Sequence, residues 1–238
     1  MELQEYRDKW QKKPVIRAIY TDYYNKIICH TKPGNILEIG GGSGNLKEFI
    51  DNVISLDIQF TPWLDLTADA QELPFRSESF SNIVMIDVLH HIESPIRFLK
   101  EACNILRPEG RLIMLEPAIS PFSWFFYNFM HDEPVVMSSD PTLITLKTTN
   151  RDPFDANQAI PTLLFGRYFN EFKRYFPLFE LRQKKYISLF AYPLSGGFKS
   201  WSLLPEVFVA PLLKIENKLL PLLGRMMAFR ILIVLEKK

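Results

Sequence analysis

The segment Ile36-Leu37-Glu38-Ile39-Gly40-Gly41-Gly42-Ser43-Gly44-Asn45-Leu46 constrains this chain more than any other. A short apolar run enters a cluster of glycines, and beyond it Leu46, Phe49 and Ile50 fall at helical spacing. A buried strand must therefore turn sharply into a helix. Glycine permits positive φ angles there and lets a ligand approach the backbone closely. The free N–H groups at the helix start then face the crevice at the strand ends. A tight turn alone would need the same glycines, so their spacing and neighbours have to carry any further reading.

Gly40, Gly42 and Gly44 run G-x-G-x-G, not the G-x-G-x-x-G of a dinucleotide loop. Glu38 sits two residues before the first glycine, and Asp57 closes the next apolar run, Val53–Ile58. A carboxylate at that second place accepts bonds from both hydroxyls of a ribose. Acidic side chains repel a pyrophosphate and suit a ligand that carries positive charge. The loop is thus suited to a nucleoside of cationic character.

Further apolar runs continue the alternation of strand and helix. A short third strand falls within Leu66–Phe75, and the β-branched run Ile83–Ile86 is the fourth. Pro95 opens a helix with Ile96, Leu99, Cys103 and Leu106 on one face. Arg107–Gly110 is a turn and Arg111–Leu115 a fifth strand. Such alternation means βαβ units and a parallel sheet with right-handed crossovers. Residues 1–34 are expected as an N-terminal helical cover and 35–117 as the ligand-binding core. The aromatic, proline-rich stretch 118–175 is expected as a lid or insertion. Phe179–Ser188 and Phe229–Leu235 are expected as closing strands of the same domain. Between them, Pro205, Pro211 and Pro221 break the apolar stretch 203–223 into short helices, a helical insertion over about 199–225.

The formal net charge of +1 argues against a broad basic face for nucleic acid. Its distribution is uneven: residues 35–165 hold 8 Lys and Arg against 18 Asp and Glu, residues 166–238 hold 13 against 5. The middle of the chain favours a small cation and the C-terminal part an anion or an anionic surface, unless these are merely solvated faces. Cys29 and Cys103 are too few for a disulfide framework or a zinc ribbon. The charged start lacks an apolar leader, and no apolar run approaches the roughly 18–20 residues of a spanning helix. The expected location is the cytoplasm, with peripheral membrane contact through 199–225 as one use of the basic excess.

ILEIGGGSGNL, SLDI, TADAQELPF, FSNIVMIDVLHHIESP and NILRPEGRLIMLEP follow one another as do the motifs of a known family. Over residues 35–117 the chain resembles the class I S-adenosylmethionine-dependent methyltransferases of the broad type 11 group. The resemblance implies a single Rossmann-like α/β domain: a mostly parallel seven-stranded sheet, helices on both faces and an antiparallel closing strand. It implies S-adenosyl-L-methionine as the methyl donor. Gly40, Gly42 and Gly44 would form the loop beside Glu38, and Asp57 would bind the ribose. Ile58 and Ala70 would lie against the adenine, Asp69 at its amino group, and Ile86 and Asp87 beside the methionine moiety. Ser81 and the Pro108-Glu109-Gly110 turn depart from the family pattern. The Asn-Pro-Pro-Tyr type of loop used by amino-group methylases is missing after the fourth strand, which disfavours adenine and glutamine as acceptors.

Methyl transfer from a sulfonium is an in-line displacement that alignment and desolvation can drive. No catalytic side chain is obligatory, but a hydroxyl acceptor gains from a general base. His91, following the fourth strand, and His131 and Glu133, in the expected lid, are the candidates. One of His90 and His91 is expected merely to pack the loop, and Glu116-Pro117 to end a strand. No metal is expected, since no second ligand cluster stands near His131-Asp132-Glu133 in sequence. The acceptor is expected to be a small molecule or a lipid- or glycan-linked group, methylated on oxygen, with no nucleic-acid partner. Two other classes stay open: a nucleoside-binding scaffold without turnover, and a nicotinamide oxidoreductase, which the glycine spacing and Glu38 disfavour.

Overall fold

The computed structural model describes residues 3–144 and 152–238, so seven residues of the expected lid lie outside it. Two helices come first, α1 (Leu3–Lys12) and α2 (Pro14–Ile28). They form the expected helical cover, in two pieces. Pro14 divides it, because the residue before a proline is pushed out of the helical region, and Lys13 sits at φ −119°, ψ 86°.

Strands β1 (Ile36–Ile39), β2 (Val53–Asp57), β3 (Leu66–Thr67), β4 (Phe80–Ile86) and β5 (Leu106–Pro117) run parallel, in the spatial order β3-β2-β1-β4-β5. Next to β5 lies β7 (Arg230–Lys237), antiparallel to it and to the edge strand β6 (Phe179–Ile187). This is the expected seven-stranded sheet with its antiparallel closing strand. Between Gly44 and Val53 the chain has eight residues in which to return to a parallel strand. That span holds one 3-10 turn, Asn45–Glu48, in place of the expected helix, and Asn52 at φ 59° redirects the chain. The expected turn Arg107–Gly110 is a bulge near the start of β5, with Glu109 at φ 63°.

Successive side chains of β1 point to opposite faces, so Leu37 and Ile39 enter one core and Ile36 the other. Helices α3 (Pro95–Ile105), α5 (Ile160–Leu164) and α6 (Phe169–Tyr175) cover the first core. In α3, Ile96, Phe98, Leu99, Ala102 and Ile105 are buried. Each large apolar side chain among them contributes about 1.5–3 kcal/mol. Helix α2 covers the second core together with α7 (Ala191–Ser195) and α8 (Val209–Met227). Helix α4 (Pro121–Met130) lies against α8.

The expectation of short helices between Leu203 and Leu223 is corrected: α8 is one helix of 19 residues. Pro211 stands in its first turn, where an N–H would have no helical partner. Pro221 sits inside, where its missing N–H frees the carbonyl of Asn217, and both residues are exposed to water.

Candidate active site

The glycine loop leaves β1 at the carboxyl edge of the sheet. Gly40, Gly42 and Gly44 have φ of 69°, 48° and 76°, the left-handed region that favours glycine. A Cβ on Gly40 would lie 2.2 Å from the Val88 side chain, so any other residue there forces Val88 to shift. At Gly42 the nearest atom to such a Cβ is 3.8 Å away, and the missing side chain opens the floor of a cavity. Gly44 does not line that cavity; a Cβ there would meet Trp63 at 2.9 Å. Trp63 Nε1 donates to the Gly42 carbonyl at 2.9 Å, and the Arg7 guanidinium lies over the Trp63 ring at 4.6 Å. Arg7 and Trp63 belong to no motif, so this support has no signature in the sequence.

Apart from Gly44, every residue expected to hold the donor lines this one cavity of about 840 Å³. Ser55 donates its hydroxyl to Glu38 at 2.6 Å, and burial pushes the Glu38 carboxyl up to about 7. Asp57 accepts the N–H groups of Gly42 and Gln59, each at 3.0 Å, and burial raises its pKa. A carboxylate has about four acceptor positions, so about two remain for a ribose diol. Asp69 accepts from the N–H of Gln71 at 2.9 Å. Ile58, Ala70 and Ile86 line the wall between these carboxylates. Asp87, at φ 57°, accepts the Tyr20 hydroxyl at 3.1 Å and pairs with Arg230. The open floor at Gly42, the unused acceptor positions of Asp57 and the acidic wall fit a nucleoside carrying a sulfonium.

The same cavity continues to a cluster drawn from three chain segments. Glu116, fully buried at the end of β5, accepts the N–H groups of Val88 and Leu89 at 3.0 and 2.8 Å. Its other oxygen lies 2.9 Å from His90 Nδ1, and His90 Nε2 lies 3.4 Å from Glu133. Burial pulls the His90 pKa down, but the two carboxylates outweigh it and raise it to about 9. His90 is therefore a cation. Burial and that neighbouring cation lower His91 to about 4, which leaves it neutral. Burial would raise Glu133, yet His90 overrides it and holds the carboxyl down at about 2.

His91 presents Nδ1 to the Asp155 carbonyl at 3.3 Å and Nε2 to Glu133 at 4.0 Å. His131 accepts the Glu133 N–H on Nδ1 at 3.3 Å and packs edge-on against Tyr127; burial lowers its pKa. The structure thus assembles His91, His131 and Glu133, and adds His90 and Glu116, which sequence reasoning read as packing and strand end. The adjacency of β4 and β5 was the available signal, since it sets Glu116 beside the turn that carries His90. The second ligand cluster missing from the sequence exists in space: His90, His91 and Glu133 place ligand atoms within 4.8 Å of one another, close enough to hold a metal ion. The protein partners of His90 and Glu133 account for the cluster equally well without one.

Aromatic side chains close the far end. Tyr6 and Tyr20 meet Phe198 edge-on at 5.0 and 5.4 Å. The loop bearing Phe198 is gathered around Lys13, whose ammonium lies 2.7–2.8 Å from the carbonyl oxygens of Ser195, Gly197, Lys199 and Trp201 and shares its three N–H groups among them. Phe126, Met130 and Trp201 also line the cavity.

Residues 37–114 match the family model described as a methyltransferase domain. A ubiquinone/menaquinone biosynthesis C-methyltransferase, UbiE, of Rickettsia massiliae is 34% identical over 70 residues, covering 29% of this chain and 26% of that one. An uncharacterized protein of Methanocaldococcus jannaschii, MJ1252, is 26% identical over 147 residues, 55% of this chain and 57% of that one. The chain spans about half, or less, of the length of these curated relatives. Among solved structures, a SAM-dependent methyltransferase from Archaeoglobus fulgidus shares the fold over 98% of both chains, with a TM-score of 0.52 at 12% identity.

Proposed function

We propose that this chain, a member of the class I S-adenosylmethionine-dependent methyltransferases, methylates an oxygen of a small-molecule or lipid- or glycan-linked acceptor. One observation carries the reading: a continuous cavity joins the glycine loop and Asp57 to the cluster of His90, His91 and Glu133. S-adenosyl-L-methionine bound there supplies a methyl group already activated on a sulfonium. Asp57 would hold the ribose and Asp69 the adenine amino group, with Ile58 and Ala70 against the ring. Ile86 and Asp87 would face the methionine end.

Electrostatics support a cationic donor. Glu116, cationic His90 and Glu133 sum to one negative charge, and Asp87 cancels Arg230. A positive ligand is attracted there, and its neutral product less so, which favours turnover over retention.

A hydroxyl acceptor has to lose its proton as the new bond forms. In this reading neutral His91 accepts it on Nε2, and the Glu133 carboxylate, 4.0 Å from that nitrogen, would stabilise the resulting imidazolium. His131 orients Glu133 through its backbone N–H. The tyrosines and Phe198 give the acceptor an apolar chamber.

The test incubates the purified chain with methyl-labelled donor and with polar metabolites, total lipid or RNA from cells lacking the protein. Label is expected in the metabolite or lipid fraction, with His91→Ala reduced by about 10²-fold or more and donor binding kept. Label in RNA would overturn the acceptor class. Donor binding without label in any fraction would favour the scaffold.

A further inference from the structure

Three neighbouring elements leave large apolar side chains exposed to water. Helix α4 turns Phe122, Phe125 and Phe129 outward at positions i, i+3 and i+7, and Phe129 is 68% exposed. The connection before α8 exposes Leu203 and Val207 at 73% and 76%. On α8, Pro211, Ile215, Leu222 and Met226 form an exposed stripe with spacings of four, seven and four residues, and Leu222 is 78% exposed. The three pieces are joined. Helix α4 packs on α8, and the Lys199 ammonium donates to the Met130 carbonyl at the end of α4 at 3.3 Å.

Charge lies beside the stripe. Lys214, Lys218 and Arg225 line the adjacent exposed face of α8, and none of them forms an ion pair among the described residues. The one carboxylate of α8, Glu216, is buried and accepts the N–H groups of Phe190 and Ala191. The exposed face of α8 therefore carries three cations and no acid. An apolar stripe flanked by Lys and Arg is the pattern of a helix lying in a bilayer interface, and aromatic side chains anchor there. Exposed apolar side chains gathered on neighbouring elements mark contact sites for protein or membrane. A second copy of the chain is a poor cover, since a two-fold contact would set the cations against themselves. No helix among the described residues is long and apolar enough to cross a membrane.

We infer that α4, the 201–208 connection and α8 rest on an anionic phospholipid bilayer, with the cavity mouth at Met130 and Trp201 opening beside it. Both of those residues are more than a third exposed and line the cavity. Delivery of an acceptor from the lipid rests on the methyl-transfer reading; the docking itself does not.

The test is flotation of the full chain with vesicles of phosphatidylcholine, alone or mixed with phosphatidylglycerol, without donor or acceptor. The chain is expected to float with the mixed vesicles, to be released by salt, and to ignore phosphatidylcholine alone. The triple variant Lys214→Gln, Lys218→Gln, Arg225→Gln should bind about a hundredfold more weakly, at roughly fivefold per cation. The pair Phe129→Ser and Leu222→Ser should also fail to float while binding the donor normally in calorimetry, which reports that it folds. Failure of the unaltered chain to float at low salt would overturn the docking and leave the methyl-transfer reading untouched. A dimer in sedimentation that the Phe129→Ser, Leu222→Ser pair dissolves would overturn it too, in favour of a second copy.

Discussion

His90 Nδ1 lies 2.9 Å from a carboxylate oxygen of Glu116, and both side chains are sealed from solvent. The pair sets the charge of the site, because Glu116 and Glu133 together keep the ring protonated up to about pH 9.

That raised pKa couples stability to pH. The folded-state value of about 9 lies above the ordinary 6.5, so the stabilisation is complete below 6.5 and is lost as pH rises through 9. Across that window the unfolding free energy should fall by on the order of 3 kcal/mol. Glu116→Gln should show a much flatter profile and lower stability at neutral pH. Denaturant melts at a series of pH values make the comparison. Equal slopes for the two proteins would place the titrating group elsewhere.

Asp57→Ala removes the acceptor of the Gly42 and Gln59 N–H groups and the positions assigned to the ribose. Hydrogen bonds to a charged group are worth about 1.5–3 kcal/mol, so donor affinity should drop about tenfold or more. Calorimetry with S-adenosylmethionine reads this directly. Undiminished affinity would refute the ribose contact.

Gly40→Ala adds two separate burdens: a side chain at φ 69°, and a Cβ 2.2 Å from Val88. The first costs about 1–2 kcal/mol and the overpacking about 1–3 kcal/mol more. Adding Val88→Ala should restore only the second part. Thermal melts of both variants separate strain from crowding; full recovery in the double variant would mean that the backbone tolerates alanine there.

Arg230 is 4% exposed, pairs with Asp87, lies 4.3 Å from the Tyr192 ring and leaves its Nε without a partner. Asp87→Asn strands that charge, and breaking a buried pair typically costs about 3–5 kcal/mol. Arg230→Met combined with Asp87→Asn should cost less than the two single changes added together. A double-mutant cycle in denaturant measures the coupling; strict additivity would show that the pair does not act as a unit.

The half of the site proposed to hold the donor was legible in the sequence because its requirements are local. A strand end, glycines at φ above zero and a carboxylate at the next strand end are contiguous demands, so Gly40, Gly42 and Asp57 stand where the pattern put them. Gly44 fits the pattern but serves the turn against Trp63, a distinction that spacing cannot make. The prolines of α8 misled for a similar reason: whether a proline ends a helix depends on whether the carbonyl it frees can reach water, as that of exposed Asn217 can.

Hydrophobic periodicity and glycine placement are properties of neighbouring residues, and they determined the alternation of strand and helix and the position of the glycine loop. Only the tertiary structure decided which of two adjacent histidines is buried and charged. Its partners arrive 26 and 43 residues further on, at Glu116 and Glu133. Burial makes each charge depend on whichever charges the fold brings beside it, and no local pattern in the chain records that.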